Sequence, residues 1–171
     1  SVEYIMVPAA AQAYMKNEEY IAPSDENLTL TEFFERVDNY LEQRSDRVLD
    51  IKELHNELSD LIQKTKTLSV CKWIAEHNID NQTLFLFCCR EYINNGDTDI
   101  HWHQYQGLFE RNTWGRITSG ITSGFNPLFK DGLIEHHGRE GLMGNSNSIT
   151  ASSEIRQKLS EELGIAWECD D

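Results

Sequence analysis

The chain has 171 residues, 39% of them hydrophobic, and a formal net charge of -14 from 29 acidic against 15 basic side chains. That length and apolar content suffice to close a core without metal or disulfide staples. The charge disfavours long-range attraction to nucleic-acid phosphates or anionic lipid and favours basic protein surfaces as partners.

No stretch reaches the roughly 20 apolar residues that span a bilayer, and no basic segment followed by an apolar one opens the sequence. The four cysteines, Cys71, Cys88, Cys89 and Cys169, form no C-x-x-C pair. Reduced, mostly buried thiols in a cytoplasmic protein without membrane contact are the reading. A first residue that is Ser and an acidic end, Glu168-Cys169-Asp170-Asp171, suggest a piece of a longer protein.

Residues 1–27 read as an N-terminal extension: a short extended segment at Val2 to Val7, a helix over Ala9 to Met15, and a turn-rich linker from Pro23 to Asn27. Thr29 and Glu32 have capping-box spacing and predict a helix to about Arg44, with Leu30, Phe33, Phe34, Val37, Tyr40 and Leu41 on one face. Asp50 and Glu53 repeat that pattern for a helix ending near Thr65, and a shorter helix is expected over Leu68 to Glu76. Residues 28–79 thus form a helical extension.

Asp80 is taken as the N-cap of a far more apolar helix, in which Leu84 to Cys89, Tyr92 and Ile93 cover most of the circumference. Gly96 stops it. A second short helix is expected over Asp99 to Phe109 and a third over Thr113 to Ser123, closed by Gly124. Leu133 to Glu135 predict a strand, His136 to Asn147 a loop holding Gly138, Gly141 and Gly144, and Ser148-Ile149 the returning strand. Thr150 is read as the cap of a last helix with Ile155, Leu159 and Leu163 inward, closed by Gly164. The fold class is therefore mainly α: three helices and a two-stranded β wing make a winged-helix module over residues 80–164. The additional N-terminal helices pack on it, and residues 165–171 form a tail.

Sites of chemistry are scarce. His101, His103, His136 and His137 invite a metal reading, but the segment around Trp102 reads as helical, where positions two apart diverge, and no Cys or carboxylate stands at a matching spacing. No metal and no cofactor are expected. Ser119 and Ser123 lie near Gly120 and Gly124 without the Gly-x-Ser-x-Gly elbow of a hydrolase, and no phosphate-cradling G-x-x-x-x-G-K-[ST] occurs. The chain is read as non-enzymatic, with any ATPase site lying outside it.

For contacts with a partner or with nucleic acid, the third helix offers Arg111, Asn112, Thr113, Arg116 and Ser119, and the wing offers Arg139. Residues 80–163 carry 11 acids and 7 bases, leaving -4. Duplex DNA binding needs several phosphate neutralisations, so nucleic acid is the disfavoured partner.

Three stretches together resemble the N-terminal region of a group of bacterial AAA-type ATPases: Leu84 to Cys89 with Tyr92 to Asp97, the run Ser123 to Glu135 (SGFNPLFKDGLIE), and Ile149-Thr150 before a helix. The resemblance covers roughly Leu28 to Leu163. It implies a helical, winged-helix-like segment ahead of an ATPase module, serving as an interaction or adaptor domain that docks a protein partner, the AAA module or neighbouring subunits. Nothing here matches the family's ATP-binding residues. The alternative is a winged-helix transcriptional regulator that reads DNA with residues 113–123.

Overall fold

A computed structural model describes residues 27–137 and 148–165. The readings for residues 1–26, for the wing loop with Gly138, Arg139, Gly141 and Gly144, and for the tail with Cys169 lie outside the described residues. The chain is mainly helical, with a small antiparallel sheet: α1 (Leu30–Ser45), α2 (Ile51–Lys64), α3 (Ser69–Trp73), α4 (Ile79–Asn95), α5 (Trp102–Tyr105), a 3-10 turn (Gln106–Leu108), α6 (Arg111–Ser123), α7 (Pro127–Lys130), β1 (Ile134–His136), β2 (Ile149–Ala151) and α8 (Ser153–Leu163).

Local chemistry sets the first two helices where the spacing predicts them. Thr29 Oγ1 accepts from the Glu32 amide at 3.1 Å while Glu32 returns a bond to the Thr29 amide at 2.9 Å, and Asp50 with Glu53 does the same for α2. Each satisfies two amide donors that a helix start leaves without an internal partner.

The start of α4 differs from the expectation. Asn78, not Asp80, is its N-cap, accepting from the Asn81 amide at 2.9 Å, so the helix begins at Ile79 and Asp80 lies in its first turn. Both residues are good caps, and the one placed where the chain turns in from α3 takes the role. Its other end is as predicted: Gly96 adopts φ +64°, and the amides of Gly96 and Asp97 close back on Tyr92 and Glu91.

The segment Asp99 to Phe109 is not one helix. Ile100 bridges Ile149 of β2 in antiparallel fashion, each amide 3.0 Å from the other's carbonyl, and only then do α5 and the 3-10 turn follow. The pull of a fully buried Ile100 into that bridge outweighs local helical spacing. Helix α3 is shorter than expected, and α6 begins two residues before Thr113. At the end, Thr150 sits in β2 opposite Glu135, and Ser152 caps α8, accepting from the Ile155 amide.

Nine consecutive residues of α4, Asn81 to Cys89, are buried. Around them pack Phe33, Val37 and Leu41 of α1, Leu54, Leu58 and Leu61 of α2, Ile117 and Ile121 of α6, Leu128, Ile149, Ile155 and Leu159, in one hydrophobic cluster. Cys71, Cys88 and Cys89 are free and buried, and burial pushes all three thiols up, away from reactive thiolate.

Arg90 ties α4 to α1. Its Nε lies 2.8 Å from Asp38 Oδ1, its Nη2 2.6 Å from Glu42 Oε2, and its Nη1 holds Glu91, whose side chain is only 10% exposed. Removing the guanidinium leaves that carboxylate in low-dielectric surroundings without its cation. Arg90→Ala is expected to cost about 2–3 kcal/mol, and adding Glu91→Gln should return part of the loss. Urea unfolding of both variants checks this; an R90A transition superimposable on the native one would contradict it.

Candidate functional site

Helix α6 follows α5 and the 3-10 turn through extended Phe109 and Glu110, and ends at Gly124, whose φ of +76° lets the chain reverse into α7. Ile117 and Ile121 are buried, and they fix which face looks outward. Asn112, Arg116, Ser119 and Ser123, spaced by four, three and four residues, form an exposed stripe on that outer face. Arg111 is also exposed, while Thr113 is half-buried and its hydroxyl donates to the Glu110 carbonyl at 3.1 Å. Arg139 lies outside the described residues.

These residues do not form one site. Arg111 and Asn112 border a shallow groove with Lys52 of α2 and Glu110. Arg116 lines a different cavity of about 310 Å³, between the start of α4, α6 and α7, together with Asp80, Asn81, Phe125 and Asn126. Ser119 borders neither of these two spaces.

Asp80, released from capping, reaches Arg116: its Oδ2 is 3.3 Å from Nη2. Its other oxygen stands 3.9 Å from Nδ1 of His55, and His55 Nε2 lies 2.8 Å from the Leu108 carbonyl. Because a carbonyl only accepts, Nε2 carries the proton of that bond. The chain His55, Asp80, Arg116 therefore joins α2, α4 and α6 and partly neutralises the central cation of the outer stripe.

The cavity beside it is built by amides. Asn126 is 6% exposed; its Nδ2 donates to Asn81 Oδ1 at 3.1 Å, its Oδ1 accepts from the Leu128 amide at 2.8 Å, and its backbone amide bonds the Gly120 carbonyl at 3.1 Å. This network holds the neighbouring Phe125 at the rim, 73% exposed. Sequence reasoning missed Asp80, Asn81, Phe125 and Asn126. The available signals were two cap-type residues close together, Asn78 and Asp80, and Asn126 directly before a proline that starts a helix.

A second polar cluster fastens the sheet. Asp99 Oδ1 lies 3.2 Å from His101 Nε2 and 4.0 Å from His137 Nε2. His137 Nδ1 donates to the Thr98 carbonyl at 2.7 Å, and His101 Nδ1 is 3.2 Å from Ser148 Oγ. Contrary to the expected divergence, the rings of His101 and His103 lie nearly parallel, 6.0 Å apart, because His101 precedes α5 instead of standing inside it. His136 stacks on Phe129 at 4.6 Å. Among the described residues no group of three or more His, Cys, Asp or Glu side chains is arranged to hold a metal ion.

Around Trp114 at the start of α6, Trp102, Tyr105 and Phe109 pack with ring centroids 5.8 to 6.1 Å away. Trp102 Nε1, Tyr105 Oη and Thr83 Oγ1 are buried there and on α4 without hydrogen-bond partners.

Comparison with protein-family models, with curated proteins and with solved structures found no match.

Burial alone would raise the Asp99 carboxyl; the hydrogen bond from Ser148 and the positive character of His137 and His101 outweigh it and hold Asp99 below the usual carboxylate range. A depressed folded value means stability that is present above the unfolded carboxylate range and is lost as pH falls through the folded value. Thermal melts of Asp99→Asn across the acid range should therefore show less loss toward low pH than the native chain. Parallel acid limbs would contradict it.

Proposed function

We propose that the chain is a non-catalytic interaction domain with winged-helix topology, of the kind that precedes the ATPase module in a group of bacterial AAA-type ATPases. It docks a protein partner or neighbouring subunits of the ring. The order α4, Ile100, α5, α6, β1, β2, with Ile100 bridging β2, supports the winged-helix part of this reading. The resemblance of Leu84 to Asp97 and Ser123 to Glu135 to those ATPases supports the family.

The single observation that favours a protein over DNA is the Asp80–Arg116 pair. A reading helix needs its cations available to phosphates, and its base-reading side chains clear of like charge from its own protein. Here a carboxylate of α4, itself only 15% exposed, stands 3.3 Å from Arg116 of that stripe, in a chain of net charge -14. The second reading, a DNA-binding regulator, rests on the exposure of Arg111, Asn112, Arg116 and Ser119.

The purified chain should release no phosphate from ATP, and labelled duplex DNA should show no saturable anisotropy change at low salt. Measurable ATP turnover would overturn the non-catalytic reading. A DNA signal that falls with salt and vanishes in the Arg111→Ala, Arg116→Ala double variant would replace docking with DNA binding.

A further inference from the structure

Another groove, of about 330 Å³, opens between α1, the end of α4 and the end of α8. Phe34, Ile93, Leu163 and Ile165 supply its apolar wall. Phe34 is buried and the three aliphatic side chains are half-buried, which leaves apolar surface within reach of solvent.

Both charged side chains that line the groove, Glu35 and Asp38 of α1, are carboxylates. Glu35 is exposed and has no ion-pair partner among the described residues. Asp38, 39% exposed, accepts from Arg90 Nε at 2.8 Å and from Asn94 Nδ2 at 3.0 Å, both on Oδ1. The same guanidinium also answers Glu42 and Glu91, so one cation serves three carboxylates and the cluster keeps a negative surplus beside Glu35.

The backbone adds to this field. Helices α4 and α8 bring their C-terminal ends to the groove, where the last carbonyls concentrate negative partial charge. Arg44 and Lys64 stand in the last turns of α1 and α2, whereas α4 and α8 have no basic residue there. Two helix ends lacking a cation of their own thus meet two carboxylates around an apolar wall.

Charge also decides among occupants. Residues 1–26 hold Glu3, Glu18, Glu19, Asp25 and Glu26 against Lys16 alone, and residues 166–171 hold Glu168, Asp170 and Asp171 with no base. A second copy brings a net charge of -14. Each of these would meet like charge at the groove.

We propose that this groove docks a basic segment of a protein partner. The segment seats apolar side chains against Phe34, Ile93 and Leu163 and sets Lys or Arg at flanking positions against Glu35, Asp38 and the two helix ends. Burial of the apolar groups supplies the affinity, while the flanking charges select the partner and speed its encounter. The inference rests on the docking reading and names the chemistry of its partner.

The test uses the whole chain and an acetylated, amidated peptide of sequence Lys-Leu-Arg-Lys-Leu-Arg, titrated while amide resonances are followed. The amides of Asn94 and Gly164 should shift saturably, with those of Arg111 and Gly120 on α6 unmoved, and added salt should weaken the binding. Glu35→Lys, at an exposed position, should weaken it about tenfold with the melting temperature nearly unchanged. The same peptide with Ser in place of both Leu should also bind about tenfold less tightly. No saturable shift, equal binding by the Glu35→Lys chain, or equal binding of the Ser peptide would each overturn the proposal. So would shifts of the same signals with chain concentration alone, which put a second copy in the groove. Peptide binding about tenfold tighter in the Trp167→Ser chain would put the chain's own end there and overturn it as well. Phosphate release or DNA binding fails the docking reading whatever the peptide does, whereas a chain negative in both and unmoved by the peptide fails this groove alone.

Discussion

Helix α4 has no solvent side over most of its length, and the other elements are placed by the need to cover it. Residues Leu84, Phe85, Leu86, Cys88 and Cys89 are fully buried at successive or near-successive positions, so their side chains point all around the helix axis. A single facing layer could bury only a stripe of such a helix. The chain answers with α1 and α2 on one part of the circumference, β2 and α8 on another, and α7 near its start. Truncating one of the central aromatics, such as Phe85, removes both transfer energy and packing, a loss of about 3–5 kcal/mol for a site of this kind. The small sheet owes its position to the same demand. Ile149 is buried against α4 and simultaneously bridges Ile100, which pins the segment leaving α4 to the strand that returns after α7.

The way α4 begins has electrostatic consequences beyond its own stability. With Asn78 as cap, the first-turn carboxylate of Asp80 favours the positive end of the helix and still projects toward α6. It then stands between the guanidinium of Arg116 and the ring of His55. One exchange of roles between two cap-type residues thus decides whether the outer face of α6 carries a bare cation or a paired one. The same turn positions Asn81, whose backbone satisfies the cap while its side chain bonds Asn126 across to α7.

What the sequence discloses divides by the range of the interactions involved. The capping boxes at Thr29 and Asp50, the glycine stops at Gly96, Gly124 and Gly164, and the apolar faces of α1, α2 and α8 arise within a turn or two of chain and were legible there. The cap of α4 was local too, but two candidates two residues apart gave the same signal. The bridge from Ile100 to Ile149 and the approach of Asp99 to His137 join positions far apart in the chain, and no periodicity announces them. For the candidate site, Arg111, Asn112, Arg116 and Ser119 were named on the third helix, and the burial of Ile117 and Ile121 turns that face outward. The cavity did not, because Phe125 and Asn126 read as turn residues until α7 folds them back over Gly120.

The distribution of paired charge bears on which partners can approach. Arg90 is held by Asp38, Glu42 and Glu91, Arg156 lies 3.5 Å from Glu135 and 2.7 Å from the Ala151 carbonyl, Arg44 spans to the carbonyls of Gly107 and Leu49, and Arg116 is matched by Asp80. These guanidiniums join α1 to α4, the sheet to α8, and α4 to α6; those of Arg90 and Arg156 are mostly buried and act as internal struts, while that of Arg116 is 63% exposed. A phosphate backbone would have to draw them out of those roles against a net charge of -14, breaking tertiary bonds for each phosphate it engages. A partner that docks without engaging those arginines makes no such demand.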